Sequence, residues 1–70
     1  MKTITKRRFD KLVSDFEYGI IDSYTIGDST IAWQAAEETC FEFVGGQVVA
    51  TGSFEHLLEW FLEDEMETAS

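Results

Sequence analysis

The stretch FEFVGGQVVATGS, residues 41–53, decides the fold of this chain. Its FEF start alternates aromatic and acidic side chains, which is the two-residue period of a strand with one buried face. The GG pair predicts a tight turn, and the VVA that follows predicts a returning strand. Gly52 and Ser53 are then placed to end that strand and to cap a helix. The stretch therefore predicts a β-hairpin that leads directly into a helix.

A second predicted hairpin precedes this one. Residues 20–26 alternate with a period of two, and the GDS sequence at 27–29 is typical of a turn. Ile31 and Trp33 then fall on one face of a returning strand, which we extend through Ala36. The chain is therefore expected to form four strands.

Residues 6–18 predict the first helix, because their apolar residues recur at the i, i+3, i+4, i+7 spacing of one helical face. Thr5 is the expected N-cap. Ile4 and Phe9 are placed to form a hydrophobic staple, and Gly19 suits a left-handed C-terminal cap. The helix therefore has a start and a stop signal of its own.

These elements predict one domain over residues 1–70 of the α+β class: an antiparallel sheet of about four strands, in two hairpins, flanked by an N-terminal and a C-terminal helix. Both helices are expected on one face of the sheet, with the other face at least partly exposed. A chain of this length buries about 60% of its unfolded surface, which is enough for one core. The predicted core residues are Phe9, Leu12, Phe16, Phe41, Phe43, Leu58 and Phe61.

Charge is distributed very unevenly along the chain, whose net charge is −9. All five basic residues lie within the first eleven positions: Lys2, Lys6, Arg7, Arg8 and Lys11. From Leu12 onward there are thirteen acidic residues and no lysine or arginine. Such a body attracts basic partners and repels nucleic acid. Solubility is the alternative reason for the acidity, and contacts with the acidic body are the expected role of the basic cluster.

The last helix is predicted to carry a column of glutamates, one at every fourth position from Glu55 to Glu67. Each like-charged i, i+4 pair costs about 0.2–0.5 kcal/mol, so a function for the column is expected. Trp60 lies beside it, flanked by acids, as an interface anchor would. A solvated helix face and a tryptophan that closes the core are the alternatives. The predicted partner-binding residues are Glu55, Glu59, Trp60, Glu63, Asp64 and Glu67.

Residues for catalysis are scarce, and we expect no enzyme, no cofactor and no metal site. His56 is the only histidine and Cys40 the only cysteine. Three glutamates lie near Cys40 in sequence and disfavour a reactive thiolate, so a buried, inert thiol is expected. The basic start of the chain has no apolar run behind it, and no segment has the roughly 20 apolar residues that span a bilayer. A cytoplasmic protein is therefore expected.

In size, acidity and lack of catalytic motifs the chain resembles small phage-encoded anti-defence inhibitors of the anti-CRISPR and DNA-mimic type. The resemblance implies an inhibitor that acts in the cytoplasm of a bacterial host. Its partner would be a basic nucleic-acid-handling protein such as a CRISPR effector, whose nucleic-acid site it would occlude. The alternative is a protein-binding or self-associating module, for example a homodimer that buries the second face of the sheet, Ile21 included.

Overall fold

The computed structural model describes residues 3–63. The elements follow the predicted order: helix α1 (Lys6–Glu17), strands β1 (Ser23–Ile26), β2 (Ser29–Gln34), β3 (Thr39–Val44) and β4 (Gln47–Gly52), and helix α2 (Phe54–Glu59). The strands form one antiparallel sheet in the order β1-β2-β3-β4. The predicted α+β class, with a four-stranded antiparallel sheet and a helix at each end, is confirmed.

Both predicted caps of α1 are present. The Thr5 side chain accepts a hydrogen bond from the backbone N–H of Arg8. At the other end Gly19 has a φ of +75°, and the Ile20 N–H donates to the Asp15 carbonyl oxygen at 2.8 Å. This arrangement is a Schellman motif, in which glycine supplies the left-handed residue that stops the helix.

The Gly45–Gly46 turn is also as predicted. Both glycines have positive φ, +60° and +83°, and Val44 pairs with Gln47 across them. A two-residue turn of this kind matches the twist of the flanking strands and favours glycine. The hairpin of β3 and β4 is therefore specified by its own turn residues.

Two predicted strand ends were wrong. β1 begins at Ser23, because the N–H groups of Ile20 and Ile21 both point to the Asp15 carbonyl at the end of α1. β2 ends at Gln34 and does not reach Ala36. The four residues after Gln34 form the turn into β3, so the helix-favouring composition of this segment leads to neither a helix nor a strand.

The core lies between α2 and one face of the sheet. α2 contacts β2, β3 and β4 as well as α1. α1 packs against α2 through Phe16, whose ring stacks on that of Phe54 with centroids 4.4 Å apart. The buried residues are Ile4, Phe9, Leu12, Ile26, Ile31, Cys40, Phe54, Leu57 and Leu58.

Part of the predicted core is corrected by the register of the sheet. Phe9, Leu12 and Leu58 are buried as predicted, whereas Phe16 and Phe61 are half-buried and pack against the core. Phe41 and Phe43 were wrongly assigned; their rings lie on the outer face, with centroids 6.1 Å apart. They alternate with Cys40, which is paired with Trp33 on the face that α2 covers, so they point away from the helices.

Candidate partner-binding site

The exposed side of α2 brings together part of the predicted site. The Ser53 side chain accepts a hydrogen bond from the His56 N–H at 3.0 Å and starts the helix as an N-cap. Leu57 and Leu58 then face the core, which turns Glu55, His56 and Glu59 towards solvent. This side of the helix is acidic because two of these three solvent-facing residues are glutamates.

Trp60 is at the C-terminal end of α2 and is 73% exposed. Together with His56 and Glu59 it lines a surface depression of about 230 Å³. A tryptophan that closed the edge of the core would be largely covered by its neighbours. The exposure of Trp60 instead leaves most of a large apolar ring available for contact.

The predicted glutamate column is interrupted after its second member. α2 ends at Glu59, so only Glu55 and Glu59 form an i, i+4 pair within the helix. Glu63 is exposed but lies beyond the helix, and its N–H donates to the Ile4 carbonyl oxygen at 2.8 Å. Asp64 and Glu67, the remaining predicted site residues, lie outside the described residues. The cost of like-charge repulsion within α2 is therefore that of one pair, about 0.2–0.5 kcal/mol.

Backbone hydrogen bonds with the N-terminal segment take the chain out of the helical path after α2. Ile4 forms a parallel bridge with Leu62, and its N–H donates to the Phe61 carbonyl at 2.8 Å. The last turn first changes to the three-residue spacing of a 3₁₀ turn: the Phe61 N–H donates to the Leu58 carbonyl oxygen, and the Leu62 N–H donates to the Glu59 carbonyl oxygen. Backbone pairing with residue 4 then replaces the next helical hydrogen bond.

Charge pairing in the described part of the chain agrees only in part with the sequence prediction. Its ion pairs are Lys6 with Asp10 and Lys11 with Asp15, at 3.0 and 3.3 Å, and both are i, i+4 pairs on α1. Lys11 thus makes one of the expected contacts with the acidic body, which begins at Leu12, whereas no ion pair joins the basic cluster to the sheet or to α2 among residues 3–63. The carboxylates from Glu17 to Glu63 form no ion pair with a basic residue among residues 3–63. Their negative field is therefore not neutralised locally.

Cys40 lies on β3 and is 1% exposed, as expected of a buried thiol. Burial raises the pKa of the Cys40 thiol because the thiolate would lose its hydration. Only a small fraction is therefore ionised near neutral pH. A thiol in this environment packs as a small apolar side chain and is poorly suited to act as a nucleophile.

A notch that the sequence did not reveal lies beside the start of β1. Phe16, Gly19, Ile21, Asp22 and Trp33 line it, and its volume is about 270 Å³. The sequence placed two of these residues, Phe16 and Trp33, on apolar faces of separate elements. Their proximity arises only when α1 and β2 are packed together, so no local pattern could have identified it.

The outer face of the sheet was predicted to be at least partly exposed, but the residues that form it were not identified correctly. Residues paired across the strands share a face, and two rows cross all four strands on the side away from α2: Ser23, Ala32, Phe41 and Thr51, and Thr25, Thr30, Phe43 and Val48. Neither row contains a charged residue. Ile21, predicted to belong to this face, instead packs against the core.

The described residues contain no group of three or more His, Cys, Asp or Glu side chains placed to bind a metal ion. Neither helix in this range is long and apolar enough to cross a membrane. Comparison with protein-family models, curated proteins and solved structures gives no significant match for this chain. The function must therefore be argued from the surface alone.

Proposed function

We propose that this protein is a small acidic inhibitor, without enzymatic activity, that binds a basic nucleic-acid-handling protein and occludes its nucleic-acid site. An anti-CRISPR or anti-restriction role in the cytoplasm of a bacterial host is the form of this function that the resemblance implies. The partner would be a CRISPR effector or another nucleic-acid-binding enzyme. The chain itself would bind neither nucleic acid nor membrane.

The observation that carries the proposal is the unmixed charge of the surface. From Glu17 to Glu63 the chain has carboxylates and no lysine or arginine, and none of these carboxylates pairs with a lysine or arginine among residues 3–63. A surface that served only solubility would normally mix both signs and gain from local ion pairs. Carboxylates held without local partners remain available to lysines and arginines that otherwise contact phosphates.

Trp60 supports a protein partner in particular. Interfaces are enriched in tryptophan, and their hot spots are aromatic or arginine residues surrounded by contacts that exclude water. Here an exposed Trp60 lies between Glu59 and the start of the acidic C-terminal residues. The ring would supply apolar contact, and the surrounding carboxylates would supply attraction and orientation.

Competition with DNA tests the proposal. We expect a basic protein to bind the immobilised chain from a bacterial lysate at low salt and to be released by an excess of a duplex DNA oligonucleotide. The purified partner should then lose DNA binding in proportion to the inhibitor added, as a fluorescence-anisotropy titration would show. A captured protein that binds the chain and DNA simultaneously would contradict occlusion.

Self-association is the second candidate, and the outer face of the sheet favours it. Two copies of a chain with a net charge of −9 repel one another, so they would meet best on a surface without charges. The two uncharged rows of the sheet provide one, with Phe41 and Phe43 near its centre. Sedimentation equilibrium distinguishes the candidates: a dimer held by this face should strengthen with added salt, whereas binding to a basic partner should weaken.

A further inference from the structure

The notch beside β1 has the size of a site for one side chain. Its volume of about 270 Å³ lies just below the roughly 300–1,000 Å³ of pockets that bind small molecules. It is lined mainly by apolar groups, with Asp22 as its one charged residue. A ligand that fits must therefore combine an apolar or aromatic-stacking body with a positive charge.

The aromatic wall of the notch is held in place from two sides. The rings of Phe16 and Trp33 meet edge to face, with centroids 6.3 Å apart and planes at 65°. Phe16 is fixed in turn by its stacking on Phe54 in α2. The backbone N–H of Trp33 donates to the backbone carbonyl oxygen of Asp22 at 2.9 Å, and this hydrogen bond ties the residue before β1 to β2. Trp33 nevertheless remains 43% exposed, so part of its ring is open to a ligand.

The Asp22 side chain forms no hydrogen bond or ion pair with any other described residue. The described lysines form their ion pairs elsewhere, with Asp10 and Asp15 on α1. The notch therefore presents an aromatic wall beside a carboxylate that pairs with no lysine or arginine among residues 3–63.

We propose that this notch is the subsite for an arginine side chain of the basic partner; the inference rests on the proposed function. A guanidinium group is planar, stacks on aromatic rings and donates two parallel hydrogen bonds to a carboxylate. It is also more weakly hydrated than an ammonium group, so it loses less on entering a shallow apolar site. A lysine ammonium group supplies the charge but is not planar and cannot donate two parallel hydrogen bonds to the carboxylate, which makes arginine the preferred occupant.

The notch is separate from the depression beside Trp60, because the two share no lining residue. Two contacts on different elements fix the orientation of a partner better than one contact does. The arginine subsite would thus determine how the partner is aligned on the acidic surface, while Trp60 supplies apolar contact elsewhere.

The tryptophan indole N–H signals in ¹H–¹⁵N NMR spectra provide the test, since Trp33 and Trp60 report on the two places separately. The probe is the peptide acetyl-Gly-Arg-Gly-amide at low salt, and acetyl-Gly-Lys-Gly-amide is its matched control. We expect the arginine peptide to shift the Trp33 signal saturably and to bind about threefold more tightly than the lysine peptide. Trp60→Phe assigns the two signals.

Asp22→Asn should weaken binding of the arginine peptide about three- to fivefold, because it removes the carboxylate and keeps the size of the side chain. Asp28→Asn is the matched control; it makes the same change of net charge in the turn between β1 and β2. It should change the affinity by less than about 1.5-fold, since Asp28 lies beyond the opposite end of β1 from Asp22 and its charge would act on the peptide only across solvent.

Several outcomes would overturn the inference. If only the Trp60 signal moves, the cation binds at α2, and the proposed function stands without this subsite. Equal losses in Asp22→Asn and Asp28→Asn would reduce the effect to general attraction by an acidic protein. Equal affinities of the two peptides for the parent protein, or no shift of the Trp33 signal, would also refute it, and these comparisons need no variant to fold.

Discussion

Replacing Glu59 and Glu63 together with lysine should abolish binding to the basic partner and leave the protein folded. Both side chains are exposed, so no buried group loses a contact. Each replacement changes the charge by two units and places a positive group where the partner presents its own. Anisotropy competition with DNA measures the loss of inhibition, and circular dichroism verifies the fold.

A matched control separates the effect of charge at the proposed site from the effect of the total charge of the protein. Asp28→Lys with Glu37→Lys makes the same change of net charge, from −9 to −5, in exposed turns of the sheet. This variant should retain most of the inhibition. If both double variants lost it equally, only the overall field would matter and α2 would not be the binding surface. If the variant with lysines at 59 and 63 inhibited as well as the parent, the proposed site would be wrong.

Truncating Leu58 to alanine should leave little folded protein at 37 °C. Leu58 is 0% exposed and lies where α2 meets the sheet. Burial of this kind makes a leucine-to-alanine change cost about 2–5 kcal/mol. A single core in a domain of this size rarely supplies more than about 3–5 kcal/mol of net stability. Urea denaturation followed by circular dichroism measures the change, and a loss below about 1 kcal/mol would contradict the observed core.

Trp60→Ala is the contrasting variant for that experiment. It removes a larger apolar side chain than Leu58→Ala does, but from a residue that is 73% exposed. The stability should therefore change little, whereas the affinity for the partner should fall by about 2 kcal/mol, the usual scale of a hot spot. Unfolding on this substitution would assign Trp60 to the core and remove the anchor from the proposed site.

Much of the architecture was predictable because its signals are local. Thr5 starts the first helix and Gly19 ends it, through hydrogen bonds that span three to five residues. Gly45 and Gly46 form their turn because glycine adopts positive φ at little cost. Ser53 caps α2 by the same short-range chemistry. Interactions of this range can be predicted from residues that are close in sequence, and they were sufficient to predict the order and type of the helices and strands.

The candidate site was predictable in part. Glu55, Glu59 and Trp60 are exposed on or next to α2, as the helical period indicates. Glu63 is exposed too, but not on the helix. The notch lined by Asp22 and Trp33 was not foreseen, because its walls come from elements that are distant in sequence.

The sequence by itself determined the order and type of the helices and strands, the caps of the first helix, the Gly45–Gly46 turn, and that the chain is acidic from Leu12 onward. Only the tertiary structure decided which face of the hairpin is covered and where the last helix ends. Both faces of β3 have apolar residues, and packing of α2 against Cys40 left Phe41 outside. Ile4 ends the helical path after Glu59 by pairing with the backbone on either side of Leu62. These choices depend on contacts between distant parts of the chain, whose free energies no local pattern contains.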